Sequence, residues 1–160
     1  MINKPKHLVE IALKYLSNDK GLSKLKKKKS LWPLAFVQFC IKKVDEETDR
    51  DELMSNIADD EGFGGNYSPS YGHSSIFDFH DYQEIWDNIE KKFKLKKAVP
   101  GSLVIWKNES GSGHIAIVEK AIDSHRIAVI EGSDSKVIKK TRSLTKEKDK
   151  TLIGIITPWH

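Results

Sequence analysis

The sequence predicts an α+β domain, with N-terminal helices packed on a C-terminal antiparallel β-sheet of about five strands. Three observations predict it. Apolar residues recur at helical spacing as far as about residue 93. From Val99 onward they fall into short runs separated by turn residues. No internal repeat and no linker divides the two halves, so residues 1–160 read as a single domain.

The first helix is expected over residues 5–17, where Leu8, Ile11, Ala12, Tyr15 and Leu16 share one face. Asn18 to Ser30 reads as a polar, basic connection, with Gly21 as a stop signal. A second helix starts between Ser30 and Pro33 and runs to about Val44, carrying Phe36, Val37, Cys40, Ile41 and Val44 as its apolar stripe. Pro33 fits the first turn of that helix, where a missing N–H costs nothing. A short acidic helix is expected from Glu46 to Ala58, then a long loop from Asp59 to Ser75 broken by Gly62, Gly64, Gly65, Pro69 and Gly72. Loops of that length inside a domain are often functional. A helix over 80–93 follows, with Tyr82, Ile85, Trp86, Ile89 and Phe93 inward. Strands are then expected at Ser102–Trp106, His114–Lys120, Arg126–Glu131, Val137–Lys140 and Leu152–Thr157.

The composition is that of an ordinary folded domain: 160 residues, 38% hydrophobic and 31% charged. No apolar stretch approaches the roughly 18 residues that would cross a membrane. The N-terminus shows no secretory signal, which points to a cytoplasmic protein, or to a phage-encoded one released by another factor. The net charge is +4, and much of the excess lies in Lys24, Lys26, Lys27, Lys28 and Lys29. Such a run reads either as a solvated loop or as a contact for a polyanion: nucleic acid, teichoic acid or an anionic membrane surface. No aromatic residue interrupts it, so stacking on bases is not suggested. Cys40 is the single cysteine, which leaves no internal disulfide and no cysteine-based zinc site. His73, His80, Asp78 and Asp81 have no diagnostic metal-ligand spacing and read as solvent and capping residues. No metal and no cofactor is expected.

The informative stretch begins Pro100-Gly101-Ser102-Leu103-Val104-Ile105-Trp106. It continues with Gly113-His114-Ile115-Ala116-Ile117-Val118 and Ile130-Glu131-Gly132-Ser133. If the chain turns near Ile122 to Ser124, His114 and Glu131 fall roughly opposite one another on neighbouring strands. Directly opposed residues have Cβ atoms about 5 Å apart. A carboxylate at that distance fixes one imidazole nitrogen and leaves the other as a base. A slip of one residue would put the two on opposite faces. Spacing alone leaves His114 open between a structural histidine and a catalytic one. Asp134 reads as a turn residue.

These three motifs, in this order and spacing, resemble the CHAP domain and its relatives in the papain-like NlpC/P60 superfamily of peptidoglycan amidases and endopeptidases. Leu31-Trp32-Pro33-Leu34-Ala35-Phe36-Val37 is similar to the family's helix start, Trp-Cys-x-Ala-Phe-Val, and Leu152 to Pro158 resembles its closing strand. Residues 45–98 match only in general character. The resemblance implies His114 as general base and Glu131 as its orienting partner. It puts the nucleophile at Pro33, which has no nucleophilic atom and no N–H. Ser102 and Ser133 stand where the family often has Asp and Asn. Trp32, Trp106, Tyr67 and Tyr71 are candidate substrate contacts.

Three functions are expected on these grounds. The first is a cell-wall hydrolase fold that has lost catalysis and binds peptidoglycan, a muropeptide or a protein partner, or serves structurally. The second is an active cysteine hydrolase using Cys40. That residue lies seven positions after Pro33, roughly 10 Å further along a helix rising 1.5 Å per residue. It also belongs to the apolar stripe, so a buried structural thiol is the competing reading. The third is binding of nucleic acid or membrane through Lys24–Lys29.

Overall fold

A computed structural model describes residues 3–27, 31–48 and 74–159. Helices lie N-terminal and a six-stranded antiparallel sheet C-terminal, in the order β1-β6-β2-β3-β4-β5. The helices are α1 (Lys4–Ser17), α2 (Ser23–Lys26), α3 (Trp32–Thr48), α4 (Ser74–Asp78) and α5 (Tyr82–Asn88). The strands are β1 (Lys94–Leu95), β2 (Leu103–Asn108), β3 (Gly113–Ala121), β4 (Arg126–Ser133), β5 (Lys136–Ser143) and β6 (Lys150–Ile156).

Local chemistry explains the element ends. Asn3 caps α1 by accepting from the Lys6 N–H, and a proline occupies the first turn. Asp81 caps α5 in the same way, accepting from the Glu84 N–H at 3.0 Å. The expected helix over 80–93 is shorter than its apolar pattern suggests. It stops at Asn88, and Lys91–Phe93 forms a separate 3-10 turn, because Ile89 and Glu90 take extended backbone that leads into β1. The basic connection after α1 contains a 3-10 turn at Lys20–Leu22 and the helix α2. The second helix runs on to Thr48 and takes in the start of the expected acidic helix. The rest of that helix, most of the loop to Ser75, and Tyr67, Tyr71, His73, Lys28 and Lys29 lie outside the described residues. The sixth strand, β1, pairs through Lys94↔Ile156 and Leu95↔Ile155. Two residues are too short to leave a periodic signature.

The sheet has two apolar faces. One packs on the helices: Leu103, Ile105, Ile115, Ile117 and Ile130 join Trp32, Phe36, Val37, Cys40 and Ile41 of α3. The other holds Val104, Trp106, Ala116, Val118, Ile127 and Val129. Full burial of each such aliphatic side chain contributes about 1.5–3 kcal/mol. With both faces covered, β2 to β4 read as nearly continuous apolar runs rather than alternating ones.

Two details of the sheet set the geometry around His114 and Glu131. A bulge at Glu119 shifts the β3–β4 register, from Ala121↔Ile127 and Lys120↔Ala128 to Val118↔Val129 and Ile117↔Ile130. The β4–β5 turn is tight, with Asp134 at φ 54°, so this residue is the turn residue the sequence suggests. No helix among the described residues is long and apolar enough to cross a membrane.

Candidate active site

His114 sits at the start of β3, next to a glycine that must be one: a Cβ on Gly113 would collide with the Tyr82 ring. Its cross-strand partner on β2 is Trp106, with ring centroids 6.0 Å apart. Glu131 sits near the end of β4 and is fully buried. Carrying the Ile117↔Ile130 register one step further sets Glu131 opposite Ala116, so it meets His114 along a diagonal. The expected direct opposition is therefore corrected by two residues. The two side chains still share a face, and His114 Nε2 lies 2.5 Å from Glu131 Oε2.

Glu131 has a second partner that sequence reasoning missed. Arg142 on β5 donates to it twice, from Nε to Oε1 at 2.5 Å and from Nη2 to Oε2 at 2.7 Å. The third arm of that guanidinium reaches Glu147, from Nη1 to Oε1 at 2.5 Å. Glu147 also accepts from the Ser143 N–H at 2.9 Å. The guanidinium carbon lies 5.5 Å from the centre of the Trp106 ring. Strands β2 and β5 are separated by two others, about 14 Å in a flat sheet at the usual spacing. The Arg142 side chain therefore reaches across this face of the sheet toward Trp106. The available signal in the sequence is one arginine in a strand otherwise supplied with lysines. Arginine's planar fork is the residue suited to buried bidentate pairing.

Burial by itself would push the Glu131 carboxyl up. The hydrogen bonds from Arg142 and His114 outweigh it and hold the group down to about 2. The residue is thus a carboxylate at any ordinary pH. Its oxygen lies against His114 Nε2, which favours the proton on that nitrogen and leaves the lone pair of a neutral ring on Nδ1. That is the tautomer a general base needs.

The cleft beside this pair has a volume of about 460 Å³. Both His114 and Pro33 line it, together with Trp32, Gly132, Ser133 and Asp134. Trp32 brings the start of α3 there. Its Nε1 donates to the Lys136 carbonyl at 3.1 Å, and its ring lies so close to Gly132 that a Cβ would stand 2.7 Å from Cε2. Pro33 is in the first turn of α3.

The remaining candidates fall elsewhere. Trp106 is fully buried beneath Arg142 and has no exposed face for a substrate. Trp32 is also fully buried, and borders the cleft only as packing. Cys40 lies in the core between α3 and the sheet, where burial pushes its thiol up. The Ser102 hydroxyl accepts from the Val99 N–H at 3.0 Å and donates to the Val99 carbonyl at 2.6 Å, closing the turn before β2. Among the described residues no three His, Cys, Asp or Glu side chains gather to hold a metal ion.

A helix start facing a histidine that a carboxylate orients, on an antiparallel sheet, defines a papain-like α+β domain. The chain belongs to the CHAP domain family, whose model matches residues 36–133. The match takes in His114 and Glu131 and begins three residues after Pro33. No curated protein and no solved structure matches the chain.

Proposed function

We propose that this CHAP domain has lost hydrolysis and keeps its cleft as a binding site for peptidoglycan peptides. The observation that carries the reading is that Pro33, not a cysteine, faces the same cleft as His114. At a helix N-terminus a cysteine would gain from the dipole and from free backbone N–H groups, which favour a thiolate and stabilise an oxyanion. Proline keeps the helix start, because its fixed φ suits the first turn, and supplies neither a nucleophile nor an N–H.

Cys40 does not fill the gap. It does not line the cleft, it is fully buried, and burial disfavours its thiolate. His114 and Glu131, the base and orienting carboxylate that the resemblance implies, lie in contact beside the cleft, which supports the reading. The ligand class comes from the family, whose members are peptidoglycan amidases and endopeptidases.

The test is the release of new amines from purified cell walls by the unmodified protein and by Pro33→Cys, with muropeptide binding measured for both. Binding by both, and thiol-dependent cleavage by Pro33→Cys alone, is expected. Cleavage by the unmodified protein would overturn the reading, as would failure of both proteins to bind.

A further inference from the structure

Three consecutive residues that line the cleft, Ser133, Asp134 and Ser135, belong to the β4–β5 turn. Asp134 stands at φ 54°, in the left-handed region that favours glycine. Both flanks of the turn rest on Trp32. Gly132 packs against its ring, and its Nε1 donates to the carbonyl of Lys136, which pairs with Ser133 across the turn. Trp32 immediately precedes Pro33, so the turn is fixed relative to the start of α3. The charges in the lining are unequal. Lys26 is neutralised by Asp19 at 2.6 Å, and His114 lies against Glu131. Asp134 is the remaining charged residue there, and it is exposed. Among the described residues it forms no ion pair and no side-chain hydrogen bond, and neither do the hydroxyls of Ser133 and Ser135.

We infer that the β4–β5 turn is a subsite for the side-chain ammonium of a diamino-acid residue in the peptide bound by the cleft. The subsite belongs to the ligand proposed above, and so rests on that reading. An ammonium is a compact charge with three donors. The turn offers it one carboxylate and two hydroxyl acceptors on consecutive residues. An anionic group would find no such partner, because Lys26, the lysine of the lining, is already paired. The competing role for Asp134 is that of a turn residue alone, since aspartate tolerates left-handed backbone. Asp149 supplies the comparison. It stands at φ 59° in the turn before β6 and does not line the cleft.

The experiment is isothermal titration of the full chain with two synthetic stem peptides, both L-Ala-γ-D-Glu-L-Lys-D-Ala with a blocked N-terminus. One has the lysine amine free. In the other that amine is acetylated, which removes its charge. The unmodified protein is expected to bind the free-amine peptide about fivefold tighter or more, from the upper end of what an exposed ion pair supplies. Asp134→Asn keeps a residue that tolerates left-handed backbone and removes the charge. It is expected to erase the preference while binding the acetylated peptide as the unmodified protein does. Asp149→Asn makes the same charge change outside the cleft and is expected to keep the preference. Equal binding of the two peptides by the unmodified protein would overturn the subsite and leave the proposed function standing. So would a preference that survives in Asp134→Asn, or one that disappears as fully in Asp149→Asn. Binding of neither peptide by the unmodified protein would overturn the proposed function, and the subsite with it.

Discussion

Arg142 holds Glu131 with two parallel N–H···O bonds, at 2.5 and 2.7 Å, and so stands behind the carboxylate that orients His114. The pair is buried, Glu131 completely and Arg142 to all but 6%. Removing one partner from such a pair costs about 3–5 kcal/mol, because a buried charge is left uncompensated. Arg142→Met is expected to destabilise the domain by about that amount in urea denaturation. Arg142→Lys keeps the charge and loses the fork, and is expected to fall between the two. Equal stability of all three proteins would show that Glu131 is held by other means.

The same pair sets a pH dependence. Glu131 has its folded pKa depressed, from an ordinary 4.5 to about 2. A depressed carboxylate contributes stability that is fully present above the unfolded value and is lost as pH falls toward the folded one. Acid unfolding is therefore expected to steepen between about pH 4.5 and pH 2, with a contribution on the order of 3 kcal/mol from this group. Thermal melts of the unmodified protein and Glu131→Gln across that range check it. The difference between the two is expected to narrow as the pH drops.

Cys40 gives a chemical test of the core. A buried thiol with a raised pKa reacts slowly with iodoacetamide at neutral pH and fast only once denaturant opens the fold. Rapid labelling of the native protein would contradict the packing of α3.

Gly132 is expected to resist substitution. A Cβ there would stand 2.7 Å from the Trp32 ring, between backbone and a fully buried indole. Gly132→Ala is expected to cost about 1–3 kcal/mol, the range for overpacking a filled core. A calorimetric melt measures it, and Trp32→Phe in the same chain is expected to recover part of the loss.

Much of this arrangement is legible in the order of the amino acids. The apolar runs of β2, β3 and β4 locate the central strands, because their burial on both faces leaves an unbroken pattern between turn residues. His114 and Glu131 stand out by their places at strand ends, and their roles come only from the resemblance to the family. Arg142 does not, since Glu131 pairs across the ladder with Ile138 and Arg142 reaches back from the position opposite Ile127. Side-chain length spans the offset between them along the two neighbouring strands, and that reach leaves no trace in local periodicity. The early end of α5 is hidden for a related reason. Ile89 and Phe93 are buried as the helical pattern demands, yet they reach the core from an extended segment and a 3-10 turn.

The bulge at Glu119 makes the site a matter of counting. Had the pairing at Ala121↔Ile127 continued unbroken, Glu131 would stand opposite Ile117 and point into the layer that packs on the helices. One supernumerary residue turns it back to the side of His114. The interval from His114 to Glu131 therefore tolerates no odd change in length. Deleting Glu119, with every functional side chain left intact, would swing the carboxylate away from the imidazole as surely as mutating it.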